Sequence, residues 1–217
     1  MKIYFHVIVA VFFLQSCSST TPINNWQFQA ASSLNSYTKY FLEGDMARAK
    51  TKLHHAREEA SKSINLFTLI NIELSVCANE ISVLKSTSCQ KASELLLLDT
   101  EPMQLAYLSL LRRQVSAGMI QDLPSQYKDF ALALLHKDNK KLNSIVSHIQ
   151  PLSSRLLASA LIKERLTASN RKVLIEEISY NGYKTALLAW LEFDIRKEDN
   201  VNNKQRLEKK LKILISH

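Results

Sequence analysis

Six histidines, 20 carboxylates and three cysteines are the side chains with which this chain of 217 residues could do chemistry. Most are spaced against it. His54 and His55 are adjacent, so on a helix they point about 100° apart and cannot share a metal as an i, i+4 pair would. His136 and His148 have no Cys or carboxylate at ligand spacing. Glu58-Glu59 and Glu176-Glu177 are also adjacent. Glycoside hydrolysis needs two carboxyls facing across a cleft, one with a raised pKa, and adjacency on a helix turns them apart. The three glycines, Gly44, Gly118 and Gly182, are isolated, so no cluster of amides can cradle a phosphate. No G-x-S-x-G elbow presents a serine nucleophile. The chain is read as not an enzyme, with no catalytic, cofactor-binding or metal-binding residue and no cofactor.

The cysteines carry more information. Cys17 closes the stretch Leu14-Gln15-Ser16-Cys17, which follows Lys2 and an apolar run from Ile3 to Leu14. A charged start, an apolar middle and a small residue before the cut make the layout of a secretory signal. The run is shorter than the about 20 apolar residues of a membrane span, and His6 interrupts it. Leu14-Gln15-Ser16-Cys17 resembles the lipobox of bacterial lipoproteins. That resemblance implies cleavage before Cys17, acylation of its thiol, and, because Ser18 rather than Asp follows, sorting to the outer membrane. Two or more acyl chains hold a protein stably, at about 0.8 kcal/mol per buried methylene. The alternative is an ordinary secretory signal that leaves Cys17 a free thiol.

Cys77 and Cys89 are the remaining thiols. In an oxidising compartment such a pair reads as a disulfide, and otherwise as two buried core cysteines. A bond requires Cα atoms within about 4.4–6.8 Å. If the helix carrying Cys77 ran unbroken to Leu84, Cys77 would lie roughly 10 Å from its end, out of reach of a Cys89 that opens the return helix. The bond therefore predicts a bend or stop between Ala78 and Ile81.

The elements that hold these residues read as helices throughout. Three glycines and four prolines suit a helical protein and fit badly with a sandwich or barrel. Leu34, Tyr37, Tyr40 and Phe41 recur at helical spacing, Gly44-Asp45 interrupts, and Ala49, Leu53 and Ala56 resume the pattern. Gly44-Asp45-x3-Ala49-x3-Leu53-x2-Ala56 resembles the turn and second helix of a tetratricopeptide repeat, whose alanines let two helices approach closely. Further apolar periods follow from Ile64 to Leu84, Ala92 to Leu98, Met103 to Val115, Tyr127 to Leu135, Leu142 to Ile149, Leu152 to Leu161, Val173 to Ile178, Ala186 to Phe193 and Leu207 to Ile215. Thr100, Asp138, Pro102 and Pro151 stand where caps and first turns belong. The expected fold is all-α: about ten antiparallel helices stacked as a tetratricopeptide-like right-handed solenoid. Residues 1–16 are read as the signal peptide, 17–28 as a tether and 29–217 as the helical domain, with burial beginning at Trp26 and Phe28.

Charge and aromatic content bound the partners. The chain has 28 Lys and Arg against 20 Asp and Glu, a net +8, and removing the signal takes away only Lys2. A basic surface can meet anionic lipid or acidic cell-wall polymer, and export argues against nucleic acid. Lys204, Arg206, Lys209, Lys210 and Lys212 are the densest cluster, which also suits a helix end over Leu207, Leu211 and Leu214. Trp26, Tyr37, Tyr40, Tyr180, Tyr183 and Trp190 are either groove or core. The expected function is that of a periplasmic lipoprotein, anchored to the outer membrane through Cys17, that binds an envelope protein as a scaffold or assembly factor. The alternative is a peptidoglycan-binding or glycan-cleaving helical protein.

Overall fold

The computed structural model describes residues 25–216, and every regular element among them is helical. Eleven α-helices are joined by short turns and two 3-10 segments, 117–122 and 163–165. They are α1 Asn25–Glu43, α2 Met46–Ala60, α3 Phe67–Ser82, α4 Gln90–Leu96, α5 Pro102–Leu111, α6 Ser125–Leu135, α7 Asn139–Val146, α8 Leu152–Leu161, α9 Ala168–Tyr180, α10 Lys184–Lys197 and α11 Val201–Ser216. α1 begins inside the stretch read as tether. Phe28 is 61% exposed and Ala30 is fully buried, so burial starts later than Trp26 and Phe28 suggested.

The turns follow one local rule. After α1, α3, α5, α6 and α9 a single residue adopts positive φ: Gly44, Leu84, Arg113, Lys137 and Gly182. The amide after each reaches back to a carbonyl of the last helical turn: Asp45 to Tyr40, Lys85 to Glu80, Gln114 to Ser109, Asp138 to Ala133 and Tyr183 to Ile178. This Schellman geometry uses carbonyls that a helix end otherwise leaves unbonded. At Gly44 and Lys137 the next residue caps the following helix at once: Asp45 accepts from the Arg48 amide and Asp138 from the Lys141 amide, both at 2.9 Å. Stop and start then lie side by side, and the chain reverses into a hairpin.

The α1–α2 hairpin is the most extensive helix pairing in the fold. Ala30, Ala49 and Ala56 are buried and let its two helices approach closely. Beyond it, α3 holds the molecule together. It packs on α1, α2, α4, α5 and α8, and it buries residues all around its circumference: Ile70, Ile72, Glu73, Leu74, Cys77, Ala78, Asn79 and Ser82. A helix buried on every side belongs in the middle of a core. α8 lies against it, with every residue from Arg155 to Leu161 buried. A solenoid joins neighbouring hairpins only. Here α3 meets α8, α1 meets α10, and the Trp190 indole of α10 donates to the Ser82 carbonyl of α3 at 3.0 Å. The chain closes on itself around α3.

Apart from Gln104 Oε1, which has no hydrogen-bond partner, the buried polar side chains among the described residues are paired. Arg57 grips Glu73 with two bonds, Nε to Oε1 at 2.6 Å and a terminal nitrogen to Oε2 at 2.8 Å. The Asn79 amide donates to Thr38 Oγ1 at 2.9 Å. Arg155 donates from Nε to the Ile149 carbonyl at 3.0 Å and pairs with Glu177, tying the start of α8 to α9. Arg171 joins Asp194 at 2.8 Å, linking α9 to α10. Removing one partner of such a pair strands a charge away from water, so each also fixes how its helices meet.

Candidate functional site

The structure joins Cys77 and Cys89 in a disulfide with Cα atoms 5.3 Å apart. The expected break in the helix is absent, since α3 runs from Phe67 to Ser82 without interruption. The connection does the work instead. The chain reverses at Leu84, whose φ is 60°, and residues 85–89 carry no helix until α4 begins at Gln90. Extended backbone gains about 3.3 Å per residue against 1.5 Å in a helix, so a few loop residues recover the whole rise from Cys77 to Ser82. The loop runs back along α3 and delivers Cys89, itself at a φ of 54°, beside Cys77. Thr87 Oγ1 accepts from the Cys89 amide at 3.4 Å and supports that approach. Both half-cystines are buried, at 3% and 4%. Cys17 lies outside the described residues.

The other sequence candidates fall where packing explains them. His55 Nδ1 meets Ser33 Oγ at 3.1 Å across the first hairpin, and His148 Nδ1 donates to the Ser144 carbonyl at 2.8 Å. Glu58 is exposed, Glu59 pairs with Lys62 at 2.6 Å, Glu176 is exposed and Glu177 holds Arg155. Among the described residues no group of three or more His, Cys, Asp and Glu could hold a metal ion. Three carboxyls are shifted, all downwards: Asp45 by the Arg48 amide, Glu164 by its bond to Lys197, and Glu198 by the Asn200 amide. Each is thereby kept charged, the opposite of what a general acid requires.

Of the six aromatic candidates Tyr37 and Trp190 are core, Tyr40 and Tyr183 pack half-buried against it, and Trp26 is half-buried. Trp190 is fully buried and Tyr37 is 4% exposed, its hydroxyl pushed up to about 12, first by burial and then by Glu80. Tyr180, at the turn between α9 and α10, is 91% exposed.

The surface with room for a ligand lies along α11. This helix has no fully buried residue; Leu207, Leu211 and Leu214 settle half-buried, one face against α10. Two recesses flank it. One, of about 630 Å³, has a floor of Ile195, Leu211 and Ile215 and a rim that includes Glu192, Arg196 and Lys212. The other, of about 450 Å³, lies between α9, α10 and α11, with Ile175, Leu187, Leu191 and Leu214 below and Tyr180 and Lys210 above. Lys204, Arg206, Lys209, Lys210 and Lys212 are all exposed, and Glu208 is the one acid of this helix. The arrangement can seat the apolar side of an extended or helical segment while the cations meet acidic groups along its edge.

No helix among the described residues is long and apolar enough to cross a membrane. The chain matches no protein-family model, no curated protein and no solved structure.

Proposed function

We propose that this chain is a lipoprotein of the bacterial envelope, anchored through acylated Cys17 on the periplasmic face of the outer membrane, and that its domain binds a protein partner as a scaffold or assembly factor. The observation that carries the reading is the Cys77–Cys89 bond. Disulfides persist in the periplasm and are rare in the cytosol. The lipobox-like Leu14-Gln15-Ser16-Cys17 asks for the same compartment on unrelated grounds. Two separate features of one sequence thus favour one address. The tetratricopeptide-like reading is kept for the α1–α2 hairpin, and the proposed partner face is the pair of recesses beside α11 rather than the inner face of a solenoid.

Mass spectrometry of protein taken from its own host tests the address. The expected species begins at Cys17, carries acyl chains and has no free thiol at Cys77 or Cys89. An intact leader peptide or an unmodified Cys17 would overturn it. Crosslinking in cells from positions beside Leu211 and Leu214 tests the role. Reproducible adducts with one envelope protein are expected, and none would count against a scaffold.

The exposed cations of α11 favour a second reading, direct contact with peptidoglycan or anionic lipid. Salt-sensitive sedimentation with sacculi, lost when Lys209, Lys210 and Lys212 are neutralised together, would favour it over protein scaffolding.

A further inference from the structure

One end of the molecule exposes large apolar side chains that the fold does not use. Ile64, in the loop between α2 and α3, is fully exposed. Leu97 and Leu98, just past α4, are 86% and 76% exposed. Phe28 near the start of α1, Phe67 opening α3 and Met103 in the first turn of α5 add 61%, 37% and 41%. Hydrogen bonds hold these loops together. The Leu66 amide donates to Asp99 Oδ2 at 3.2 Å, tying the α2–α3 loop to the α4–α5 loop. The Gln104 side chain donates to the Phe67 carbonyl at 2.8 Å, tying α5 to the start of α3. Trp26, Asn65 and Phe67 share one recess, which brings the start of α1 to the same place. Exposed aliphatic tips on tied loops are a surface built to meet something apolar.

The start of α1 is also where the chain arrives from Cys17. The eight residue steps between Cys17 and Asn25 reach at most about 28 Å. The opposite end of α1, at Gly44, stands about 28 Å further away, its 19 residues rising 1.5 Å each. A protein acylated at Cys17 therefore brings the Ile64–Leu98 end to the bilayer first. We infer that this end is a second membrane contact: Ile64, Leu97 and Leu98 dip into the interface of the bilayer that holds the acyl chains, with Trp26 and Phe28 at headgroup level. This rests on the anchored reading given above. Three features favour lipid over a protein partner. The side chains are protruding tips rather than the walls of a groove. The most exposed of them, Ile64, Leu97 and Leu98, are aliphatic and the aromatic Phe28 and Phe67 are more covered, the order in which a bilayer sorts them. They lie at the end nearest the anchor. Asp99 is turned inward onto the Leu66 amide, and exposed Glu101 limits the depth to the headgroup region.

The test uses the full acylated protein in vesicles of phosphatidylethanolamine and phosphatidylglycerol whose acyl chains carry bromine. Leu98→Trp places a reporter at the tip, and Met46→Trp places one at the far end, beside Gly44 at the start of α2. Both are made with Trp26→Phe, so that the other indole is the buried Trp190. Leu98→Trp emission should fall about two-fold in brominated against ordinary lipid, the response of a side chain seated 5–10 Å into the interface, and Met46→Trp emission should not change. Circular dichroism confirms that both variants fold. Acylated protein whose Leu98→Trp emission is unquenched, or quenched no more than Met46→Trp, sinks this inference and leaves the anchor standing. A mass spectrum without acyl chains on Cys17 sinks the anchor reading and this inference with it. Absent quenching together with a photocrosslink from position 98 to one envelope protein would reassign the surface to that protein.

Discussion

The indole of Trp190 donates to the carbonyl of Ser82 across a separation of 108 residues, at 3.0 Å, with both residues buried. It fastens α10, near the end of the chain, to the last turn of α3. Ser82 already closes that turn, its Oγ donating to the Ala78 carbonyl at 2.8 Å. Trp190→Phe should remove the bond, strand an acceptor and leave a small void, lowering stability by about 1–3 kcal/mol. Urea unfolding followed by circular dichroism would measure it, and an unchanged midpoint would mean that α10 is held from elsewhere.

The disulfide makes a second prediction. It closes a loop of sequence separation 12. Restricting the unfolded chain by a loop of that length is worth about 3 kcal/mol. Cys77→Ala with Cys89→Ala should lower stability by about that much and make the protein indifferent to reductant. Wild-type protein should lose the same increment when reduced, so both species can be compared in one denaturant series.

Alkaline pH should unfold the protein from within. Tyr37 is pushed from 10.0 to about 12, chiefly by burial, and Tyr107 and Tyr127 are also shifted upward by burial. A group whose folded pKa lies above its unfolded value contributes stability that is complete below the unfolded value and is lost as pH rises through the folded one. The window therefore opens near pH 10 and deepens towards about 12. Tyrosinate absorbance should rise together with loss of helical signal, and Tyr37→Phe should soften the alkaline slope. Tyrosines that ionise while the helices persist would refute the assignment.

Two glycines with the same apparent role should respond differently. Gly44 sits at a φ of 92°, and a Cβ there would stand 3.3 Å from Thr185 Oγ1 on α10. Gly182 sits at 68° and a Cβ there would meet nothing within 4 Å. Gly44→Ala combines backbone strain with a tight contact and should cost about 1–2 kcal/mol. Gly182→Ala should cost less, because Leu84, Arg113 and Lys137 already occupy the same conformation. Thermal unfolding of the two variants side by side would rank them.

Local chemistry was the legible part of this sequence. Gly44-Asp45, Asp138, Pro102 and Pro151 act at their own helix ends, so their meaning does not depend on the rest of the chain. Thr100 does not cap α5: its hydroxyl donates back to the Leu96 carbonyl of α4, and Glu101 precedes α5 with no side-chain cap. Periodicity counts apolar residues but does not know which reach the core, so Ile64 and Leu98 read as buried and are exposed. The α5 pattern runs on to Val115, but the helix stops at Leu111 because Arg113 turns left-handed, which nothing in an arginine announces. The pairings of α3 with α8 and α1 with α10 depend on surfaces far apart in sequence, and a repeat-like first hairpin points away from them. At the candidate site, the basic run of α11 and its three leucines were visible from spacing. The recesses beside it were not, since they depend on how α9 and α10 lie beneath.

Leu84, Arg113 and Lys137 share a consequence. Each occupies a backbone shape that glycine would hold with less strain, and the side chains of Arg113 and Lys137 point into water. The fold thus carries unclaimed thermal headroom at two surface corners. Arg113→Gly and Lys137→Gly should each raise the melting temperature, offering a sturdier version of the domain with its core, its bridge and its α11 surface untouched.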